Sequence, residues 1–206
     1  ACAPFRRLHV CDQNLEQIRP EQITSTHNLL VDVCMAAKFE GQSITRDYPK
    51  YQATYGNFPF ELCTVLARSF ADIGDIIRGK DLYRGNKKKK QTETERDKLE
   101  ENLKRIFGNI YKGLSRTSTS GRTNGTEERY GKDPNFFQLR EDWWALNRET
   151  VWKALTCEAG QNDKYFRQTC SNDTTQTDKK CRCVIGDVPT YFDYVPQFLR
   201  WFEEWA

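Results

Sequence analysis

The sequence predicts an all-α protein with its helices joined by disulfide bonds, and three features predict it. Apolar residues recur at spacings of three and four along several stretches, while no stretch sustains the alternation of a strand. Eight cysteines, Cys2, Cys11, Cys34, Cys63, Cys157, Cys170, Cys181 and Cys183, occupy 206 residues. An even count favours a disulfide framework, and disulfides persist in secreted or cell-surface compartments. Apolar residues make up only 37% of the chain, but twelve Phe, nine Tyr and five Trp supply large buried areas. Cross-links offset a modest core, typically by ~2–4 kcal/mol each.

A metal site is disfavoured. The only close cysteine pair, Cys181 and Cys183, is one residue too tight for the usual Cys-x2-Cys arrangement. His9 and His27 are the only histidines, and neither has a partner at ligand spacing. No metal and no cofactor are expected.

The first 27 residues, with Pro4 and Pro20, lack a sustained period and read as an irregular segment stapled by Cys2 and Cys11. A helix follows from Leu29 to Phe39, and Gly41 ends it. Polar, turn-rich sequence runs through Pro49 to Asn57. Pro59 suits the first turn of a second helix, whose Leu62, Val65, Leu66, Phe70, Ile73, Ile76 and Ile77 form its stripe before Gly79 closes it. A third helix spans about Thr94 to Leu114, with Leu99, Leu103, Ile106, Phe107, Ile110 and Leu114 inward. Glu100–Lys104 and Glu101–Arg105 stand in the favourable i,i+4 order on its exposed face.

Residues 115–132 are rich in Ser, Thr, Gly and Arg and read as a flexible loop. A fourth helix, from Asn135 to about Leu155, carries Phe136, Leu139, Trp143, Leu146, Thr150, Val151 and Leu155. Residues 158–182 are polar again, and a last element from about Tyr191 to Ala206 is aromatic on most of its surface. That surface and the Trp143–Trp144 pair suit a core better than a sugar-stacking platform, because a helix apolar nearly all round is usually buried.

At 24.2 kDa the chain has room for one domain or two closely packed subdomains. It carries no signal peptide or spanning run, starts at Ala1 and stops within an amphipathic stretch, so it looks like a piece of something longer. Net charge is +3, unevenly spread: residues 78–132 hold 16 Lys/Arg against 8 Asp/Glu. A basic zone on a near-neutral body suggests an anionic partner and no general affinity for nucleic acid. Nothing supports catalysis: no Cys/His or Ser/His pair has a recognisable context, and no glycine-rich phosphate loop follows a strand. Adjacent acids such as Glu127–Glu128 and Glu203–Glu204 point apart on a helix.

Four blocks, ACAPFRRLHVCDQNLE at 1–16, ARSFADIGDIIRG at 67–79, LREDWWALNRETVWKALTC at 139–157 and DVPTYFDYVPQFLRWFEEWA at 187–206, resemble the Duffy-binding-like domain. The resemblance is to the alpha type at the head of the erythrocyte membrane protein 1 adhesins of the malaria parasite Plasmodium falciparum. It implies a disulfide-linked helical fold in which this chain supplies subdomains one and two and breaks off before the third. Residues 1–55 would form subdomain one and residues 56–206 subdomain two, with variable loops at 80–93, 115–133 and 158–182. Four cysteines between the second and fourth blocks resemble the four-cysteine variants of the type.

The resemblance further implies adhesion to red-cell or endothelial receptors or to sulfated glycans, with rosetting and antigenic variation. The implied location is the extracellular face of the infected erythrocyte, within a larger membrane-anchored protein. Implied partners are a host cell-surface receptor or sulfated glycan, neighbouring domains of the same adhesin, and antibodies. The alternative is a structural head unit supporting a neighbouring receptor-binding domain. The candidate binding residues are Lys87, Lys88, Lys89 and Lys90 with Arg78, Lys80 and Arg84, whose ammonium and guanidinium groups suit sulfate oxygens. Arg116, Arg122 and Arg129 lie in the Ser/Thr/Gly loop and could sweep a polyanion, while Arg6 and Arg7 sit in a family-typical block and suit a structural role better. Asn124-Gly-Thr126 and Asn172-Asp-Thr174 match the N-glycosylation pattern but are discounted, since the family is not typically so modified. Connectivity is open among 105 pairings. By position, Cys63–Cys157 is favoured, and Cys181 and Cys183 should take different partners because so small a ring closes poorly.

Overall fold

A computed structural model describes residues 2–55, 61–85, 93–117 and 124–205. Two single turns open the chain, α1 (Phe5–Leu8) and α2 (Gln13–Glu16), and four longer helices carry its bulk: α3 (Thr26–Tyr55), α4 (Leu62–Arg78), α5 (Glu95–Thr117) and α7 (Phe137–Leu155). Between and after them lie α6 (Asn124–Tyr130), the turn α8 (Cys170–Asp173), a 3-10 turn at Phe192–Tyr194 and α9 (Gln197–Trp205). Among the described residues there is no strand beyond two isolated bridges. The all-α expectation therefore holds.

α4 is the centre of the molecule. Every residue from Leu62 to Arg78 except Val65 is buried, because α3, α7, α9, α1 and the 3-10 turn all pack on it. Gly79 ends it in the left-handed conformation (φ 73°), and the following N–H groups cap the carbonyls of Ile76 and Asp75.

Gly41 does not end the first long helix. α3 continues through Gly41 and Pro49 to Tyr55. The glycine marks a close crossing instead: a Cβ there would stand 1.8 Å from the carbonyl oxygen of Leu155 on α7. Helix α5 begins with a reciprocal cap, Thr94 Oγ1 accepting from Asp97 N and Asp97 Oδ2 accepting from Thr94 N. Its stripe is buried from Leu99 to Ile110, while Leu114 is exposed. The expected surface pairs give way to tertiary ones, since Glu100 accepts from Arg140 and Glu21 from Arg105.

Part of the expected flexible loop is helical: α6 is fastened where Arg129 and Tyr130 donate to Asp142. Along α7, Leu146 is 83% exposed and Trp144 and Trp152 are buried. This helix packs on α3, α4 and α5 and reaches the 3-10 turn through Trp144, so its apolar residues do not form one stripe. The Trp143–Trp144 pair belongs to the core as expected, and Trp144 (tilted) and Trp152 (edge-on) pack against Phe70 with centroids 5.1 and 5.2 Å from its own. The terminal aromatic stripe does not: Trp201 is buried, but Tyr191, Tyr194, Phe198, Phe202 and Trp205 are exposed.

Cys63 is bonded to Cys181, and not to Cys157, while Cys170 is bonded to Cys183. Cys157 lies past the end of α7 and faces solvent. Cys181 is brought inward by a two-residue turn in which Lys180 and Cys181 are both left-handed (φ 52° and 55°). Non-glycine residues adopt that conformation at a cost, so neighbours must hold it. Here Lys180 N donates to Gly160 O, Cys181 N to Asp163 O, and Trp152 Nε1 to Cys181 O. Cys2 and Cys11 form no staple; they and Cys34 are unbonded.

Charged groups fasten the N-terminal segment instead. Arg6 donates to Asp72 (2.7 Å) on α4 and to both oxygens of Glu204 on α9, and the buried Arg7 pairs with Asp81. Asp72 also accepts from Arg200 (2.8 Å) and Gln197 (3.0 Å). Arg200 reaches Asp75 (2.5 Å), which Arg78 holds from its other side (2.9 Å). Arg148 donates to both oxygens of Asp193, and Trp144 Nε1 donates to one of them. Breaking a buried pair by removing one partner costs ~3–5 kcal/mol, because the other charge is left without compensation.

Burial pushes the Asp72 carboxyl up, but Arg6 and Arg200 outweigh it and hold the group below the usual carboxylate range. A lowered pKa gives stability that is present above the unfolded value near ~4 and lost as pH falls. Asp75 differs: burial, only partly offset by Arg200 and Arg78, pushes it up to about 6. Its contribution fades as pH rises through about 6, so the two oppose each other. Asp72→Asn is expected to lower the unfolding free energy at pH 7 by about 3 kcal/mol. Between roughly pH 5 and 3 the variant should lose less than the parent. Urea unfolding across that range checks both.

Candidate functional site

Arg78, expected at the binding surface, is buried. Its guanidinium donates to Gly74 O (3.0 Å), Asp75 (2.9 Å) and the carbonyl of Asp193, and its ring neighbours are Trp144 and Tyr194. Its Nη1 also meets Glu141 (3.5 Å), so the group is committed to the interior. The i,i+3 pair with Asp75 was within reach of the sequence, but the burial of all sides of α4 was not.

Beyond Gly79 the chain runs without regular secondary structure from Lys80 to Gly85 as a ridge between two clefts. Lys80 and Leu82 line one side, where Tyr194, Val195, Pro196 and Phe198 form the opposite wall of a cleft of about 350 Å³. Tyr83 and Arg84 line the other side, facing Arg96 and Leu99 of α5 across about 250 Å³. The ridge is pinned along its length. Asp81 pairs with Arg7 and accepts from Gln197 Nε2 (2.9 Å), while Leu82 N donates to Gln197 Oε1 (2.7 Å). Two guanidinium groups, Arg7 and Arg96, lie over the Tyr83 ring at 4.9 and 5.7 Å from its centroid.

The two exposed cations of the ridge differ in availability. Lys80 is paired with Glu141, whereas Arg84 is exposed and has no ion-pair partner among the described residues. The carboxylates of the second cleft are already engaged: Asp81 by Arg7, Asp97 by the cap of α5, and Glu100 by both nitrogens of Arg140. Lys87, Lys88, Lys89, Lys90 and Arg122 lie outside the described residues. Arg116 falls in the last turn of α5, with its side chain also outside them. Arg129, in α6, is held by Asp142. Of the basic candidates, then, the structure brings Lys80 and Arg84 onto one ridge and withdraws Arg78.

Sequence reasoning missed a second surface, the outer side of the last segment. Phe198, Phe202 and Trp205 recur at spacings of four and three along α9 and are at least half exposed. The inner side, Gln197, Arg200 and Trp201, meets α4. The signal was present as charged and amide residues at 197, 200 and 204, which read as solvent-facing but serve the buried network. Among the described residues no group of His, Cys, Asp and Glu could hold a metal ion. No helix among them is long and apolar enough to cross a membrane.

Residues 1–200 match the model of the Duffy binding domain. The chain is similar to the Duffy receptor gamma form of Plasmodium knowlesi, with 22% identity over 213 residues, covering all of this chain and 15% of that protein. Among solved structures, the NTS-DBL1(alpha-1) domain of the Plasmodium falciparum membrane protein 1 from the varO strain is 44% identical, with a TM-score of 0.78. The match covers the whole of this chain and 43% of that one. A DBLβ domain of the same class of protein, bound to human ICAM-1, is 30% identical with a TM-score of 0.68, over 97% of this chain and 38% of that one. The chain thus spans less than half the length of each of these relatives.

Urea unfolding separates the two arginines. Arg78→Ala should cost about 3 kcal/mol, because buried carboxylate and carbonyl acceptors lose their donor. Arg84→Ala should change stability by less than about 0.5 kcal/mol.

Proposed function

Since the chain belongs to the Duffy binding domain family, we propose that it is a host-cell adhesion module of a variant surface antigen. It would act outside the cell, as part of a larger membrane-anchored protein, with antigenic variation on its exposed loops. The observation that carries the reading is the pinned ridge: Arg84 stands exposed, without an ion-pair partner among the described residues, three residues before the run Lys87 to Lys90 in sequence. A pinned base followed in sequence by four lysines suits a polyanionic chain such as a sulfated glycan. The protein-receptor form of the reading draws support from the related DBLβ domain bound to human ICAM-1.

A second reading, a structural head unit supporting a neighbouring receptor-binding domain, draws on a different observation. The outward side of α9 presents Phe198, Phe202 and Trp205 without a covering element among the described residues, and contiguous exposed apolar surface marks an interaction face.

Changing Lys87, Lys88, Lys89 and Lys90 together to Ser discriminates the two readings. Under the adhesion reading the parent chain binds immobilised heparin with a steep salt dependence, and the variant elutes at much lower salt with its fold unchanged. Equal elution of the two chains removes this segment as the glycan site, and no heparin or red-cell binding by a folded parent favours the head-unit reading.

A further inference from the structure

Cys157 is an unbonded, exposed cysteine whose stretch of chain is fastened to the stretch that carries a disulfide. Lys180 Nζ donates to Cys157 O (3.0 Å). Arg182 donates through Nε to Thr156 Oγ1 (2.7 Å) and through Nη2 to Lys153 O (2.6 Å). Cys181 stands between those two residues, so both of its neighbours hold it against the end of α7. Two backbone bonds add to this contact, from Lys180 N to Gly160 O (3.2 Å) and from Cys181 N to Asp163 O (2.9 Å). The contacts of Cys2 and Cys11 lie elsewhere, at Trp205 and at Glu40.

The bond between Cys181 and Cys63 is buried at both ends, so its sulfur atoms are reached only when the structure opens locally. The turn at Lys180–Cys181 is a suitable place for such opening. Both residues are left-handed (φ 52° and 55°), a conformation that costs free energy for residues other than glycine and is released when the turn opens. Cys63 is the second residue of α4, at the helix end that favours negative charge and therefore a departing thiolate. A nucleophile, a sulfur it is held close to and a favourable leaving group thus belong to one corner of the fold.

We propose that Cys63, Cys157 and Cys181 form a thiol–disulfide switch within the chain. Cys157 gives its proton to solvent, and its thiolate attacks Sγ of Cys181. The Cys157–Cys181 bond forms as the Cys63–Cys181 bond breaks, and the electron pair leaves on Sγ of Cys63, which takes up a proton. One disulfide and one thiol stand on each side of the exchange, so no oxidant or reductant is consumed. Before it, residues 158–180 are tied to the start of the central helix α4; after it, they are tied to the end of α7. Cys170–Cys183 takes no part and keeps its own loop closed. The switch does not depend on which ligand the domain binds.

The test follows the parent chain and Cys157→Ser at about pH 8, without added thiol or oxidant, by acid quenching, alkylation and mass mapping of non-reduced peptides. Cys157 faces solvent, and circular dichroism checks that the variant folds. In the parent, the Cys157–Cys181 peptide should grow as the Cys63–Cys181 peptide declines. Alkylation should move from Cys157 to Cys63 with the total of alkylated cysteine constant. The rate should stay the same over about a tenfold range of chain concentration, because the reacting groups share one chain. Cys157→Ser should keep the Cys63–Cys181 bond, with exchange at least about tenfold slower. A parent that retains Cys63–Cys181 with Cys157 alkylated throughout overturns the switch. So does exchange that persists in Cys157→Ser, which would make Cys2, Cys11 or Cys34 the attacking group. A Cys63–Cys157 product overturns the assignment of Cys181 as the attacked sulfur, and a rate proportional to concentration places the exchange between chains and overturns the proposal.

Discussion

Two carboxylates, Asp72 and Asp75, lie one helical turn apart on a helix buried on nearly all sides. Neither can stay ionised there without cations and hydrogen bonds brought to it. The rest of the fold is arranged around that need. Arg6 comes from the N-terminal segment, Arg78 from the end of the same helix, and Arg200 with Gln197 from α9. Asp193 extends the network to Arg148 and Trp144 of α7. The two ends of the described chain thus meet on one helix, where Trp205 Nε1 also donates to Cys2 O (2.9 Å).

This network explains why the chain was legible where it was. The four blocks that carry the family resemblance contain Arg6 and Arg7, then Asp72, Asp75 and Arg78, then Arg140, Trp144 and Arg148, then Asp193, Gln197 and Arg200. They are far apart in sequence and converge in space. Periodicity gave α4, α5 and α7 to within a few residues, because apolar residues recur at helical spacings along each. It misread α3, where a glycine that permits a close crossing looks the same in sequence as one that ends a helix. Disulfide pairing was illegible for a related reason. The Cys63–Cys181 bond depends on a left-handed turn at Lys180–Cys181, which is held by hydrogen bonds to residues 152, 160 and 163 and not by local propensity.

The candidate site was half legible. A run of lysines and arginines is visible as a charge excess, but the sequence does not tell interior cations from exterior ones. The structure separates them by type. Arg7, Arg78, Arg140 and Arg200 are almost fully buried, whereas no lysine among the described residues is. A planar guanidinium satisfies several acceptors at once and is weakly hydrated, while an ammonium is a compact and strongly hydrated charge. Arginine therefore supplies the buried cations of this fold, although arginines such as Arg46, Arg105 and Arg129 also stand on its surface. Arg84 differs from those three in having no ion-pair partner among the described residues.

The claim that the Asp72 cluster joins α9 to α4 is tested most directly by a double-mutant cycle between Arg200 and Asp72. Unfolding free energies at about pH 7.5 would be measured for Arg200→Met, Asp72→Leu, the double variant and the parent. A shared buried network predicts a coupling energy above about 2 kcal/mol, with the double variant markedly more stable than the sum of the single losses. A coupling below about 0.5 kcal/mol would mean that the two residues act independently, and would contradict the account.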